Sequence, residues 1–217
     1  MRPTRRQTIR LSIAAAAIAL AAGPLPALAQ DEPRQVSQIA LAETGPLPEK
    51  ALGAEDAPVT IVEYASMTCG HCADFHAGTF KELKERYIDT GKVRFVFREF
   101  PLDPLAAATF MLARCAPEDR YFDVVDMFFE TQPVWTRTND PVGELYKLAR
   151  QAGFTQASFQ ACLTNQELLD GINAVKDRAA SEFGVSSTPT FFINGELFRG
   201  NRPIEDFAEK IDPLVGG

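Results

Sequence analysis

The sequence predicts an α/β protein: a mixed central sheet flanked by helices, with an inserted all-helical domain. Three observations predict it. Two nearly continuous β-branched and aromatic runs, Val59-Thr60-Ile61-Val62-Glu63-Tyr64-Ala65 and Val93-Arg94-Phe95-Val96-Phe97-Arg98-Glu99-Phe100, bracket a helical period. Residues 102–184 then carry helical patterning without a convincing strand. Last, Thr190-Phe191-Phe192-Ile193 and Glu196-Leu197-Phe198-Arg199 flank Asn194-Gly195, a two-residue hairpin signal. The order is a β-α-β unit, a helical block, and a β-β-α unit, which calls for helices on both faces of one sheet.

The elements follow in order along the 217 residues. Arg2, Arg5, Arg6 and Arg10 make a basic start, an apolar run reaches about Ala22, and Ala27-Leu28-Ala29 is a small-residue cleavage signal. This order predicts a signal peptide over residues 1–29, cleaved after Ala29. The alternative, an uncleaved anchor, needs about 20 apolar residues. Arg5-Arg6 also fits a twin-arginine export signal, although Thr8 stands where that signal usually has an aromatic residue or Leu. Export by either that route or the general secretory one is expected, which places the mature chain in the periplasm. Cleavage would take the net charge from −7 to about −11, a balance that argues against nucleic-acid and anionic-membrane partners.

Residues 30–57 are rich in Pro, Gly and charge and read as an extended arm with one short strand near residues 38–42. Residues 58–101 and 185–217 should form the sheet domain, with residues 102–184 as the helical insertion. The first strand, residues 59–65, lacks alternation and reads as buried. A helix is expected over residues 73–89, where Phe75, Phe80, Leu83, Tyr87 and Ile88 recur at helical steps and Gly91 ends the run. The second strand ends at Pro101. Helices are expected near residues 104–116, 118–131, 140–152, 156–163, 166–183 and 204–214, with Asp140-Pro141 as a start signal and Gly153 and Gly184 as caps.

The chemistry lies in Cys69-Gly70-His71-Cys72, directly after the buried strand and before the helix. Cysteines at i and i+3 can lie side by side in a first helical turn. Disulfide exchange needs that closeness of one nucleophilic and one resolving thiol. A sulfur at a helix N-terminus sits over free N–H groups, which favour its anion. His71 can add a hydrogen bond or a positive charge. Cysteines so placed have pKa values of about 3.5–7.5. Each unit of depression stabilises the reduced form by roughly 1.4 kcal/mol, which makes the disulfide a stronger oxidant. A zinc site would need two more ligands, and His76, Cys115 and Cys162 are scattered. No metal and no cofactor are expected. A plain structural disulfide is the other alternative.

Glu63 interrupts an apolar strand six positions before Cys69, where a buried carboxylate is costly and points to function or a paired charge. Arg94 or Arg98 is the expected partner; a carboxylate facing water at a strand end is the bland reading. His76, one turn after Cys72, reads as a rim residue, since no partner for it is identifiable. Cys115 and Cys162 fall in separate helices. In an oxidising compartment a structural disulfide is the expectation, worth about 4 kcal/mol by loop closure. Two buried free thiols are the alternative.

Two segments carry a family resemblance: Tyr64-Ala65-Ser66-Met67-Thr68-Cys69-Gly70-His71-Cys72 and Ser187-Thr188-Pro189-Thr190-Phe191-Phe192-Ile193-Asn194-Gly195. The sequence resembles the DsbA-type branch of the thioredoxin superfamily over nearly all of the mature chain. The resemblance implies a thioredoxin fold with a helical insertion. It implies that Cys69 attacks, that Cys72 resolves, and that the Thr188–Pro189 bond is cis. It gives Glu63 a part in proton transfer at Cys72. Pro189 lacks an N–H, so the Thr188 backbone would be free to pair with an extended substrate.

The expected function is a periplasmic dithiol oxidase that passes a Cys69–Cys72 disulfide to reduced or unfolded exported polypeptides. The resemblance implies reoxidation by a membrane quinone-linked partner. A disulfide isomerase or reductase is the first alternative, kept open by Thr188. The roughly 28 residues between the cleavage signal and the first strand are too few for a dimerisation domain, which favours a monomer. A peptide-binding chaperone module is the second alternative, in which Phe128, Phe129 and Trp135 would line a groove; the first reading of these aromatics is helical core.

Overall fold

The computed structural model describes residues 35–216. The expected signal segment, residues 1–29, lies outside the described residues. The first element corrects the expected strand near residues 38–42: they form a short helix, α1 (Gln38–Ala42). Ser37 caps it by accepting from the Ala40 N–H, and Ala and Leu suit a helix better than an exposed strand. Its last carbonyls find tertiary donors, with Arg98 on Leu41 and Arg178 on Ala40.

Then come β1 (Lys50–Leu52), β2 (Val59–Ala65), α2 (Gly70–Ala77), α3 (Thr79–Leu83) and β3 (Val93–Glu99). The expected helix over residues 73–89 starts earlier and breaks. Gly78 leaves the helical region (φ −119°, ψ −93°) and splits α2 from α3, and a π-helical turn at Lys84–Ile88 follows. The helical block holds α4 (Pro104–Cys115), a 3₁₀ turn at Glu118–Arg120, α5 (Tyr121–Glu130), α6 (Gln132–Thr136), α7 (Pro141–Gln151), α8 (Gln156–Leu163) and α9 (Gln166–Ser181). Asp103 and Asp140 cap α4 and α7 through their side chains, each followed by Pro at the first helical position. The chain closes with β4 (Thr190–Ile193), β5 (Glu196–Arg199) and α10 (Ile204–Val215). Both residues of the β4–β5 turn take positive φ, 45° at Asn194 and 90° at Gly195. A Cβ on Gly195 would also run into the Val36 carbonyl, so glycine is required there.

The five strands make one mixed sheet in the order β1-β3-β2-β4-β5. β2 lies at its centre, parallel to β3 and antiparallel to β4. This is the thioredoxin fold, with helices α4 to α9 inserted between β3 and β4. The insertion shares the sheet's core. Phe75, Phe97 and Phe191 belong to the same apolar cluster as Phe110, Phe128 and Trp135. Phe128, Phe129 and Trp135 are buried, the helical-core reading of these aromatics rather than the groove of the chaperone alternative. A smaller cluster covers the other sheet face, with Val62, Val96 and Phe192 against Phe183 and Leu41.

Glu99, fully buried at the end of β3, ties the sheet to the insertion. Arg114 of α4 donates to both its oxygens, Nε–Oε1 at 2.6 Å and Nη2–Oε2 at 2.9 Å, and the Tyr121 hydroxyl donates to Oε1 at 2.9 Å. A fully paired carboxylate is tolerable in a core; an unpaired one is not. Among the described residues no helix is long and apolar enough to cross a membrane.

Candidate active site

β2 ends at Ala65 and delivers Cys69 to the N-terminus of α2 four residues later. Cys69 is the N-cap itself, extended in backbone, and its N–H closes a turn onto the Ser66 carbonyl at 3.0 Å. Cys69 is half-buried and Cys72, one turn inside the helix, is fully buried. A small polar network holds the loop. Thr68 donates to Asp103 at 2.6 Å, and Asp103 also caps α4, so loop and insertion share one carboxylate. Gln132 of α6 donates from Nε2 to the Met67 carbonyl at 2.7 Å and to the Cys69 carbonyl at 3.0 Å.

The Thr188–Pro189 bond is cis, and the Thr188 carbonyl accepts from the Cys69 Sγ at 3.3 Å. Residues from opposite ends of the sequence thus meet at one sulfur. The environment drives the two thiols apart. A hydrogen bond from Cys72 lowers the Cys69 pKa; burial opposes it, while Thr188 and the N–H groups of Cys72 and His71 assist, bringing it to about 5. Burial pushes Cys72 well above the ordinary thiol range, and the charges of Cys69 and Glu63 push the same way. The lowered sulfur favours the anion at neutral pH and its neighbour favours the thiol. Two thiols so divided suit disulfide exchange, in which the low-pKa sulfur is the easier leaving group.

A family model described as "Thioredoxin" matches residues 47–213. The structure superposes on alpha-DsbA1 of Wolbachia pipientis with a TM-score of 0.73, at 34% identity, covering 79% of this chain and 93% of that one. The chain belongs to the DsbA-like branch of the thioredoxin superfamily. A Rickettsia bellii relative, named as a candidate protein-disulfide oxidoreductase, is 32% identical over 168 residues, 77% of this chain. The chain spans 64% of that relative's length. A Bacillus subtilis relative named disulfide bond formation protein D is 24% identical over 177 residues, 78% of each chain.

In this DsbA-like chain Glu63 is fully buried in β2, and its partner corrects the expectation. Neither Arg94 nor Arg98 reaches it. Both bind Glu49, at 3.1 and 3.0 Å. The register gives the reason. Glu63 aligns with Phe97 and Phe191, whereas Arg94 and Arg98 align with Thr60 and Tyr64, on the opposite face. Glu63 instead meets His76, with Oε2 at 3.0 Å from Nε2. His76 is therefore no rim residue: it is 5% exposed, against the rim position expected. Spacing of i, i+4 from Cys72 sets it on the buried face of α2, and that signal could have found it. Burial opposes its charge, but Glu63 and Asp126 outweigh burial and push its pKa up to about 9.

His71 is exposed at the mouth of this DsbA-like site, and its backbone N–H is among the groups that lower the Cys69 pKa. Cys115 and Cys162 are bonded to each other, joining the end of α4 to α8. Gln132 carried no sequence signal, because a glutamine inside a helical block has no distinguishing spacing.

Proposed function

We propose that the chain is a thiol–disulfide oxidoreductase acting as a dithiol oxidase on exported polypeptides. The observation that carries this reading is the divergence of the two thiols, with Cys69 brought to about 5 and Cys72 pushed up. In the oxidised protein Cys69 and Cys72 share a disulfide. A client thiolate attacks Cys69 Sγ, a new S–S bond forms, and the electron pair of the old bond leaves on Cys72. Burial and the Glu63 charge disfavour a thiolate at Cys72, so it takes a proton, which Glu63 would pass on to it after receiving it from another group. A second client thiolate then attacks the client's own sulfur in the mixed disulfide. The electron pair leaves on Cys69, whose stabilised thiolate makes that departure favourable. His71 at the rim completes the set of groups around Cys69.

The client is held as an extended segment along the Thr188 backbone beside Cys69, where Pro189 offers no N–H to compete. Export to the periplasm is supported by the basic, apolar and small-residue order of residues 1–29 and by the Cys115–Cys162 bond, which suits an oxidising compartment. A membrane quinone-linked protein would reoxidise the dithiol. The chain would work as a monomer.

The test pairs a redox titration of Cys69–Cys72 against glutathione with oxidation of a reduced model protein. An oxidase gives a potential well above the roughly −270 mV typical of a reductant such as thioredoxin. A value near that figure sinks the oxidase reading. Cys69→Ala must abolish turnover.

A further inference from the structure

Exchange moves a proton on and off a buried sulfur, and the buried Glu63 has no solvent contact of its own. Its other oxygen, Oε1, has no hydrogen-bond partner among the described residues, and neither does His76 Nδ1. Two unpartnered buried polar atoms therefore lie at the two ends of the single Glu63–His76 hydrogen bond. Such atoms are rare in cores and call for an explanation. On its far side His76 lines a cavity of about 90 Å³ bounded by Phe80, Lys81, Asp126, Phe129 and Glu130. Asp126 Oδ1 stands 3.8 Å from Nδ1, and half of the Asp126 side chain is exposed.

We propose that His76 is the proton store of the site: from its place between Glu63 and Asp126 it lends a proton to the Glu63 carboxylate, and through it to Cys72, and takes it back when the disulfide re-forms. The proposal rests on the exchange reading given above and adds to it the route by which the proton travels. The ring, charged at neutral pH, releases its Nε2 proton to Glu63 Oε2 and keeps the other on Nδ1, beside Asp126. Glu63 then gives a proton to the Cys72 thiolate, and the S–H bond forms as the disulfide opens. When the disulfide re-forms, Cys72 returns its proton to Glu63 and Glu63 returns one to Nε2. Each half-reaction reverses the other, so the ring regains its starting charge without turning.

The packing suits a ring that must stay still. His76 stacks on Phe129 with centroids 4.4 Å apart and 20° between planes, and Phe80 lies at 4.6 Å on a tilted ring. Phe75 and Phe97 meet it edge-on. The charged groups facing it are Glu63 from β2, Asp126 and Glu130 from α5, Lys81 from α3 and Lys84 just beyond it. Lys81 and Glu130 stand 3.7 Å apart across the cavity mouth. A purely structural histidine would bury both ring nitrogens against partners; here one is bonded inward, and the other is buried without a hydrogen bond, 3.8 Å from the half-exposed Asp126 carboxylate. His76 acts on Cys72 only through Glu63, which makes it a positioning residue for the proton.

The test measures the rate of Cys69–Cys72 exchange with reduced glutathione in the full chain. His76→Ala should slow exchange by about 100-fold, the low end of what a positioned proton donor contributes. Added imidazole should restore the rate in proportion to its concentration, and substituted imidazoles should do so according to their basicity. A packing defect would give no such dependence. Asp126→Asn, at a half-exposed position where folding is not in question, should slow the forward and reverse reactions by the same factor and leave the equilibrium with glutathione unchanged. Exchange at the wild-type rate in both variants overturns the proposal. So does a slow His76→Ala that no imidazole restores, together with an Asp126→Asn of wild-type rate. Absence of exchange in the wild-type chain would instead defeat the oxidoreductase reading itself.

Discussion

Lowering the pH through about 5 should change how steeply the Cys69–Cys72 reduction potential moves with pH. Reduction adds two electrons, but the number of protons taken up depends on the thiols. Above about 5 the reduced site holds a Cys69 thiolate and a Cys72 thiol, so one proton is bound. For a two-electron couple each bound proton contributes about 30 mV per pH unit. Below about 5 both sulfurs are protonated and the slope doubles to about 60 mV per pH unit. The sign follows from the direction of the shift. A lowered pKa stabilises the reduced form as pH rises through about 5, with the full effect above the ordinary thiol value of 9. At pH 7 roughly two units of the shift are realised, or about 2.7 kcal/mol. Cys69 is partly exposed, so screening trims this to about 1–2 kcal/mol. That corresponds to a disulfide more oxidising by about 20–40 mV than one with ordinary thiols. The assay equilibrates the protein with a thiol–disulfide couple across this range, quenches with acid and counts free thiols, alongside a thiolate absorbance titration of Cys69. A slope near 60 mV per pH unit through neutrality would refute the reasoning, because Cys69 would then be an ordinary thiol.

Gln132→Leu should leave the Met67 and Cys69 carbonyls unpaired, lowering stability by about 1–3 kcal/mol in a urea melt and raising the Cys69 pKa in the thiolate titration. The Cys115→Ala and Cys162→Ala double variant frees a closed loop of 47-residue separation; a loss of about 4 kcal/mol by denaturant unfolding is expected, with glutathione exchange at Cys69 retained.

The parts that came through from sequence are those set by local rules. β2 and β3 are continuous apolar runs, and such runs make central strands. Asn194-Gly195 is a turn whatever surrounds it, because few other residues tolerate two positive φ values in succession. Cys69 to Cys72 needed only the change from strand to helix around them. What stayed hidden depends on distant partners. α1 looks like a strand in sequence because its helix is stabilised by arginines more than fifty residues away. Glu63 points to the wrong cation because the arginines of the adjacent strand are near in space yet on the other face, as the register of β2 against β3 dictates. His76 looks like a surface residue because its partner sits thirteen residues upstream on a strand.

The Glu99 anchor has a consequence for how separable the helical block is. By sequence, residues between β3 and β4 look like a cassette that could be cut out to leave a minimal scaffold. Glu99 belongs to the scaffold, yet Arg114 and Tyr121, which neutralise it, belong to the cassette. Excision would strand a bare carboxylate inside the remaining fold and uncover the apolar side of β3 at once. A trimmed protein would thus need an apolar replacement at Glu99 before it could fold. The same condition would bind any lineage that gained the block stepwise: an acid at this position becomes tolerable only after the helices that shelter it are in place.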